Sequence, residues 1–162
     1  MSARVVDIAV TVNGEPVRES VEARKTLVDF LREDLGLTGS HVGCEHGVCG
    51  ACTVLLDGVV VRGCLILAAQ CDGARVETIE GVSETGEIAD LQRAFETRNA
   101  LQCGYCTPGM LLTAQALLQQ GGVPSRAQIR QHLSGNYCRC TGYHAIVDAV
   151  EAVARLRAGG RP

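Results

Sequence analysis

The stretch GCEHGVCGACTVLLDG, residues 43–58, decides the fold. It carries Cys44, Cys49 and Cys52 on a loop of glycine and other small residues, directly before a run with β-branched side chains. Glycine lets a loop fold back on itself, so three thiols can converge on one point. The Asp57-Gly58 pair at its end is a strong signal for a hairpin turn. The stretch therefore predicts a cysteine-lined loop that leads into a β-hairpin.

The rest of the first half predicts a small mixed sheet crossed by one helix. VVDIAVTV, residues 5–12, alternates as a half-buried strand does, and the following Asn13-Gly14 predicts a turn into a second strand. TLVDFLREDLGL, residues 26–37, has the capping signal and apolar spacing of a short amphipathic helix. After the cysteine loop and its hairpin, RVETIE, residues 75–80, predicts a last strand.

The second half changes character and predicts four helices. GVSETGE, residues 81–87, is polar and glycine-bearing and is expected to be a linker. Apolar spacing, caps and stop signals then mark helices near Ile88, from Thr107, from Ser125 and after Thr141. Four short helices in about 75 residues imply a bundle. The predicted fold class is α+β, with a sheet domain over residues 1–80 and an all-α domain over residues 88–162.

The amino-acid composition limits which binding partners and which cellular compartment are expected. The chain has 162 residues and 46% hydrophobic content, so it is expected to fold around a core. A net charge of −3 and 3% aromatic residues leave neither a basic footprint nor a base-stacking platform, so no nucleic-acid partner is expected. No apolar run approaches the roughly 20 residues of a membrane span. The N-terminus shows no export signal, which predicts a cytoplasmic location, where nine cysteines indicate metal binding rather than disulfides.

The first cysteine set follows the pattern C-x4-C-x2-C with a distant fourth member: Cys44, Cys49, Cys52 and Cys64. This is the plant-type ferredoxin spacing for a 2Fe–2S cluster. Structural zinc is the alternative, although zinc favours paired C-x2-C segments. A Rieske centre would need a histidine three residues after a later cysteine, which the sequence lacks, so His46 is interpreted as a loop residue.

The second cysteine set lies at two predicted helix entrances: Cys103, Cys106, Cys138 and Cys140. Helix N-termini stabilise thiolates, so two such entrances facing each other can hold a second cluster. Zinc or a C-x2-C dithiol switch remains the alternative from spacing alone. Cys71 is left over and is expected to be a small buried side chain.

The segments CEHGVCGACTV, QCGYCTPGM and GNYCRCTGY resemble, in this order, the small iron–sulfur subunit of the molybdenum hydroxylases, the xanthine oxidase family. The resemblance extends over residues 5–153. It implies a β-grasp plant-type ferredoxin domain followed by a four-helix 2Fe–2S domain. It also implies that the first cysteine set holds the cluster facing FAD on a medium subunit, and that the second holds the cluster next to molybdopterin on a large subunit.

The family also suggests roles for single residues. Gln102 and Cys140 match the positions that approach the pterin by hydrogen bonds. By this resemblance the chain passes electrons one at a time from molybdenum to FAD within a heterotrimer, which can pair into a dimer of heterotrimers. The chain itself does not touch the hydroxylated substrate, consistent with the absence of a G-x-G-x-x-G fingerprint.

Two other function classes remain open from the sequence. A free-standing two-cluster ferredoxin would shuttle electrons between enzymes, although a diffusing carrier needs only the first half. A zinc-binding scaffold subunit would hold the same cysteines without iron. Arg139, between two cysteines, either is an ordinary surface residue, or tunes the second site or forms a salt bridge with another subunit. The neighbouring tyrosines are expected to pack around the second site.

Overall fold

The computed structural model describes residues 4–159. Five strands are present: β1 (Val5–Val12), β2 (Glu15–Glu22), β3 (Thr53–Leu56), β4 (Val59–Arg62) and β5 (Arg75–Glu77). The helices are α1 (Leu27–Asp29), α2 (Ile79–Glu84), α3 (Ala89–Thr97), α4 (Thr107–Leu118), α5 (Arg126–Leu133) and α6 (His144–Arg157). Together they form a mixed α+β fold, with the sheet in the first half and most of the helices in the second.

The strands form one sheet in the order β2-β1-β5-β3-β4. β1 pairs antiparallel with β2 and parallel with β5, while β3 pairs antiparallel with both β4 and β5. Both predicted hairpin turns are present, because Asn13 and Asp57 adopt the positive φ that a two-residue hairpin turn with glycine second requires. The short parallel pairing of β1 with β5 joins the two hairpins into a single sheet.

The predicted helix crosses one face of this sheet. Thr26 caps it, since its Oγ1 accepts a hydrogen bond from the Asp29 N–H at 3.2 Å. After Asp29 the helix continues as a wider π-helical segment, Phe30–Asp34. The apolar residues of this segment are fully buried, with Leu27, Phe30 and Leu31 each 0% exposed. They form the core of the first half with inward-facing residues of β1, β3 and β5.

The segment 81–87, expected to be a linker, begins inside helix α2, so that part of the prediction is wrong. Ile79 and Val82 are buried, 9% and 4% exposed, in the core of the second half. The helix start is fixed to the first hairpin turn, because the Thr78 N–H donates to Asn13 Oδ1 at 2.8 Å. Gly81 serves this contact, since a methyl group there would collide with the Asn13 side chain.

The second half is built from α3, α4, α5 and α6, at the positions that the sequence predicts. Ser125 forms the predicted capping box of α5, in which its Oγ accepts from Gln128 N and Gln128 Oε1 accepts from Ser125 N. The ends of α3 and α6 are joined by Arg157, whose Nε and Nη2 donate to the Asp90 carboxylate at 2.8 Å. That guanidinium holds the pKa of Asp90 below its usual range.

The two halves share a packed boundary between the sheet and α4. Leu55 of β3 is 7% exposed and belongs to the core of the second half. Strand β4 also contributes there, since Val60 packs against the same core. Across residues 4–159, no helix combines the length and apolar character that crossing a bilayer demands.

Candidate metal centre

The loop between α1 and β3 brings Cys44 and Cys49 together. The backbone N–H groups of Val48 and Cys49 point at Cys44 Sγ, at 3.3 and 3.4 Å. Hydrogen bonds from the backbone, that of Cys49 first and that of His46 next, lower the pKa of Cys44 to about 6. The Cys44 thiol also contacts that of Cys49. A backbone that stabilises a thiolate in this way is prepared for a negatively charged metal site.

Cys52 and Cys64 form the buried side of the same site. Cys52 is 2% exposed and Cys64 is 9% exposed, and their thiols contact each other. Burial raises the pKa of Cys52 to about 11, because a thiolate is poorly solvated there. The loop and the segment after β4 are fixed to one another by the Gly63 N–H, which donates to the Cys52 carbonyl at 3.0 Å.

The second group of cysteines lies where α4 and α6 begin. Cys106 is the N-cap residue of α4, and Cys138 and Cys140 lie in the segment that leads into α6. Burial raises the pKa of Cys106 to about 12. The pKa of Cys138 is lowered: burial opposes ionisation, but hydrogen bonds, led by that of the Thr141 hydroxyl at 3.2 Å, outweigh it.

Tyr143 holds the segment before α6 in place. It adopts a left-handed conformation with φ of 69°, an uncommon state for an aromatic residue. Its hydroxyl oxygen accepts a hydrogen bond from the Cys138 N–H at 2.9 Å, and the hydroxyl donates to the Asn136 carbonyl at 3.2 Å. The residue with the strained backbone is therefore also the one whose hydroxyl group holds the backbone at Cys138. The predicted packing role of the tyrosines fits this one.

The eight predicted ligands form four sulfur pairs, two in each half. They are Cys44 with Cys49, Cys52 with Cys64, Cys106 with Cys138, and Cys103 with Cys140. The Sγ atoms of Cys103 and Cys140 are 3.5 Å apart. In the part of the chain that the structure describes, no three His, Cys, Asp or Glu side chains converge as ligands of one metal ion. Paired thiols fit a 2Fe–2S cluster, in which four thiolates are shared by two irons.

The two residues predicted to face the pterin are brought together. Gln102 Nε2 donates to the backbone carbonyl of Cys140 at 3.2 Å. Both residues are exposed in this chain, as is Cys103. Leu101 beside them is 38% exposed, so an open surface surrounds the Cys103 and Cys140 pair.

The two cysteine groups are connected through the backbone. The Tyr137 N–H, next to Cys138, donates to the carbonyl of Cys49 at 2.8 Å. Glycines permit this approach, because a Cβ at Gly50 would lie 2.5 Å from the Gly135 carbonyl oxygen. A methyl group at Gly109 of α4 would likewise collide with the Gly50 carbonyl. The ligand loops of the two halves are therefore in direct contact.

Sequence reasoning missed the polar network at this boundary. Asn136, 1% exposed, donates from Nδ2 to the Gly50 carbonyl at 3.1 Å and accepts at Oδ1 from the Thr113 hydroxyl at 3.0 Å. Arg62 reaches the same place from the end of β4. A sequence feature that could have indicated this network is Arg62, which ends the otherwise apolar strand VVVR.

A second contact between the halves is aromatic. His41 stacks on Tyr105 with ring centroids 4.5 Å apart. The Tyr105 hydroxyl donates to the Val42 carbonyl at 2.6 Å. Tyr105 lies between Cys103 and Cys106, so this contact ties the second cysteine loop to the first half.

The remaining candidates have simpler surroundings. Cys71 is 0% exposed in the core of the first half, as expected for a small buried side chain, and burial raises its pKa. His46 is exposed, and its Nδ1 contacts the carbonyl of Cys44. Arg139 is exposed on the segment between Cys138 and Cys140.

Comparison with known proteins identifies both halves. Residues 10–79 match the family model of the 2Fe–2S iron-sulfur cluster binding domain, and residues 78–151 match that of the [2Fe-2S] binding domain. The nicotine 6-hydroxylase small subunit of Paenarthrobacter nicotinovorans is 53% identical over 145 residues, covering 90% of this chain and 87% of its own length. Caffeine dehydrogenase subunit gamma of Pseudomonas sp. strain CBB1 is 47% identical over 157 residues, covering 95% and 93%.

A solved structure shares the whole fold. The crystal structure of quinoline 2-oxidoreductase from Pseudomonas putida 86 contains a chain with a TM-score of 0.89 and 49% identity, covering 97% of this chain and 99% of that one. The two 2Fe–2S family models, the relatives and this structure agree over nearly the full length. The chain therefore belongs to the small iron–sulfur subunits of the molybdenum hydroxylases, which are oxidoreductase complexes.

Proposed function

We propose that this chain is the electron-transfer subunit of a multi-subunit molybdenum–flavin hydroxylase or dehydrogenase. It passes electrons from molybdopterin on a large subunit, through two 2Fe–2S clusters, to FAD on a medium subunit. The observation that carries the proposal is the sorting of eight cysteines into four sulfur pairs, in two groups that meet at one boundary.

These pairs support the ligand assignment. Cys44, Cys49, Cys52 and Cys64 hold the cluster of the first half, and Cys103, Cys106, Cys138 and Cys140 hold that of the second. When bound, each cluster supplies one-electron redox chemistry at a potential set by its hydrogen bonds and exposure. The Val48 and Cys49 N–H groups stabilise thiolate charge in the first group, and the Thr141 hydroxyl does so in the second.

The domain assignment combines the sheet topology with the family. We assign the sheet half, residues 1–80, as a β-grasp plant-type ferredoxin domain. We assign residues 88–162 as a four-helix 2Fe–2S domain formed by α3 to α6. Helix α2 joins them in place of an irregular linker, and its buried Ile79 and Val82 anchor it to the helical core.

The open surfaces suggest where the partners bind. Val48 and Leu65, 43% and 58% exposed, flank the first cysteine group and support the docking of a flavin-bearing subunit there. Cys140 and the side chain of Gln102 are exposed beside the second group and support the approach of a pterin. The Tyr137 N–H bonded to the Cys49 carbonyl gives the electron a short bonded route between the two groups.

Iron and acid-labile sulfide per chain, with EPR of the reduced protein at graded temperatures, test the proposal. We expect about four irons and two distinguishable 2Fe–2S signals, as four thiolates per two-iron cluster require. About two irons, or zinc in place of iron, would contradict it. Copurification with molybdenum and flavin subunits separates the complex from a free-standing two-cluster ferredoxin, which would purify alone and be reduced reversibly by a reductase.

Gln102 offers a test of the entry point. Gln102→Ala is expected to slow reduction of the clusters by the substrate of the complex while iron content and both EPR signals are preserved. Gln120→Ala, an exposed glutamine after α4, is the matched control. Substrate-driven reduction rates equal to those of the control would remove Gln102 from the electron path.

A further inference from the structure

Arg62 places a guanidinium group at the boundary between the two halves. Its Nη1 donates to Thr53 Oγ1 at 2.5 Å, and its Nη2 donates to the Gly135 carbonyl at 2.7 Å and to Asn136 Oδ1 at 3.3 Å. A methyl group at Gly135 would lie 2.7 Å from Nη2, so the loop closes tightly on the guanidinium. All three acceptors are neutral oxygens.

No carboxylate of residues 4–159 forms an ion pair with this half-buried cation. The contrast with Arg126 and Arg157 is direct, because each of those arginines is ion-paired with acidic side chains. Removing a charge from water without an opposite charge is unfavourable. Among residues 4–159, Arg62 therefore has no acidic side chain as a partner.

Arg62 and the residues that accept its hydrogen bonds lie close in sequence to cysteines of both groups. Arg62 itself lies two residues before Cys64, and its acceptor Thr53 follows Cys52 directly. On the other side, Asn136 lies two residues before Cys138 and also bonds the carbonyl of Gly50, next to Cys49. The guanidinium thus contacts Thr53, Gly135 and Asn136, which lie one to three residues from ligands of the two groups.

We propose that Arg62 is a shared counter-cation of the two clusters, which raises the reduction potential of both. This inference rests on the proposed function, since it requires that both cysteine groups hold clusters. Accepting an electron makes a cluster more negative by one charge, so a fixed positive charge nearby favours the reduced state. A cation at the boundary between the two halves affects the reduction potentials of both clusters. A hydrogen bond to one ligand affects the potential of a single cluster.

The test measures the midpoint potentials of both EPR signals in the holoprotein and three variants. Arg62→Gln removes the charge, Arg62→Lys keeps it but loses the planar fork, and Arg75→Gln removes an exposed arginine of β5 as the control. We expect Arg62→Gln to lower the equilibrium constant for reduction of each cluster by about fivefold to tenfold. Tenfold corresponds to about 59 mV for one electron.

The variants distinguish the failure of each proposal. If both clusters are present and Arg62→Gln moves neither potential beyond the Arg75→Gln shift, the counter-cation is excluded while the electron relay stands. If the unchanged protein holds only one cluster, the proposed function fails first.

Arg62→Lys tests the charge even when the neutral variant does not fold. For each cluster, the equilibrium constant for reduction in Arg62→Lys should stay within about twofold of the value in the unchanged protein, because the positive charge remains. Equal lowering of both potentials in Arg62→Lys and Arg62→Gln would show that geometry rather than charge is responsible, and would overturn the inference.

Discussion

The two cysteine groups reach the same number of thiols by different routes. In the first half, one loop supplies Cys44, Cys49 and Cys52, and its own backbone N–H groups approach Cys44. In the second half, two helix entrances supply two cysteines each, and the Thr141 hydroxyl approaches Cys138. The first group depends on the conformation of a loop, and the second depends on how two helices pack.

Burial separates the groups further. The first has a pair enclosed by protein, Cys52 and Cys64, and a half-exposed pair, Cys44 and Cys49. In the second, Cys106 and Cys138 are only half-buried, and Cys103 and Cys140 are exposed. Within this chain, the second group is therefore less protected from water than the first.

The sharpest way to break this comparison is to remove one ligand. Cys49→Ser is expected to reduce the iron content from about four to about two per chain, because one four-thiolate site is lost. The EPR signal of the helical half should persist, since its ligands lie elsewhere in the chain. Cys71→Ser is the matched control: this buried cysteine contacts no predicted ligand, so four irons should remain. Loss of both signals in a folded Cys49→Ser protein would contradict two independent sites.

Thiol reactivity compares the sites without iron. In the iron-free, reduced protein, alkylation of Cys44 should be half-maximal near pH 6, because its pKa is lowered to about 6. Cys106, with a pKa raised to about 12, should react more slowly by orders of magnitude at neutral pH. Below pH 6 the Cys44 thiolate is protonated and its labelling should slow. Mass spectrometry of the labelled peptides gives both rates, and equal rates at pH 7 would refute the difference.

The boundary between the groups can be tested with one methyl group. In an ordinary helix interior, Gly→Ala stabilises by about 0.5–1 kcal/mol. At Gly109 the methyl group would meet the Gly50 carbonyl, so we expect Gly109→Ala to destabilise by about 1–3 kcal/mol. Urea unfolding measures the change in the free energy of unfolding. A stabilised Gly109→Ala protein would show that the halves are not closely packed there.

The smallest expected effect tests the hydroxyl of the second group. Thr141→Val should lower the midpoint potential of the helical cluster alone, because the hydrogen bond is stronger to the more negative sulfur of the reduced cluster. The whole bond contributes about 1.5 kcal/mol, and only the difference between the two oxidation states enters the potential, so we expect a change of about twofold to threefold in the reduction equilibrium. The first cluster serves as an internal reference, and Thr141→Ser should retain the potential. A shift of both clusters together would assign the effect to a general change in structure.

Local signals predicted much of the fold. Asn13-Gly14 and Asp57-Gly58 form the expected turns, and Thr26 and Ser125 cap the expected helices, because these features depend on neighbours in the chain. The cysteine spacings also predict two groups of four thiols, one in each half of the chain. Their pairing into four sulfur contacts depends on tertiary structure and was not accessible from spacing.

The errors and omissions concern contacts between distant residues. Gly81 suggested a linker, yet it allows α2 to pack on Asn13, 68 positions earlier in the sequence. Asn136 and Arg62 join segments whose separation in the chain is 74 residues, so no local pattern marks them as a pair. Such contacts follow from how the two halves pack, which sequence periodicity does not specify.

The hydrogen bond from Tyr137 to the Cys49 carbonyl joins main-chain atoms only. Every amino acid except proline offers the same N–H, so the side chain at position 137 is free to vary while the link is inherited unchanged. Substitutions at position 137 can therefore change this exposed surface without removing the hydrogen bond beneath it. Proline is the one natural substitution at that position that removes the donor.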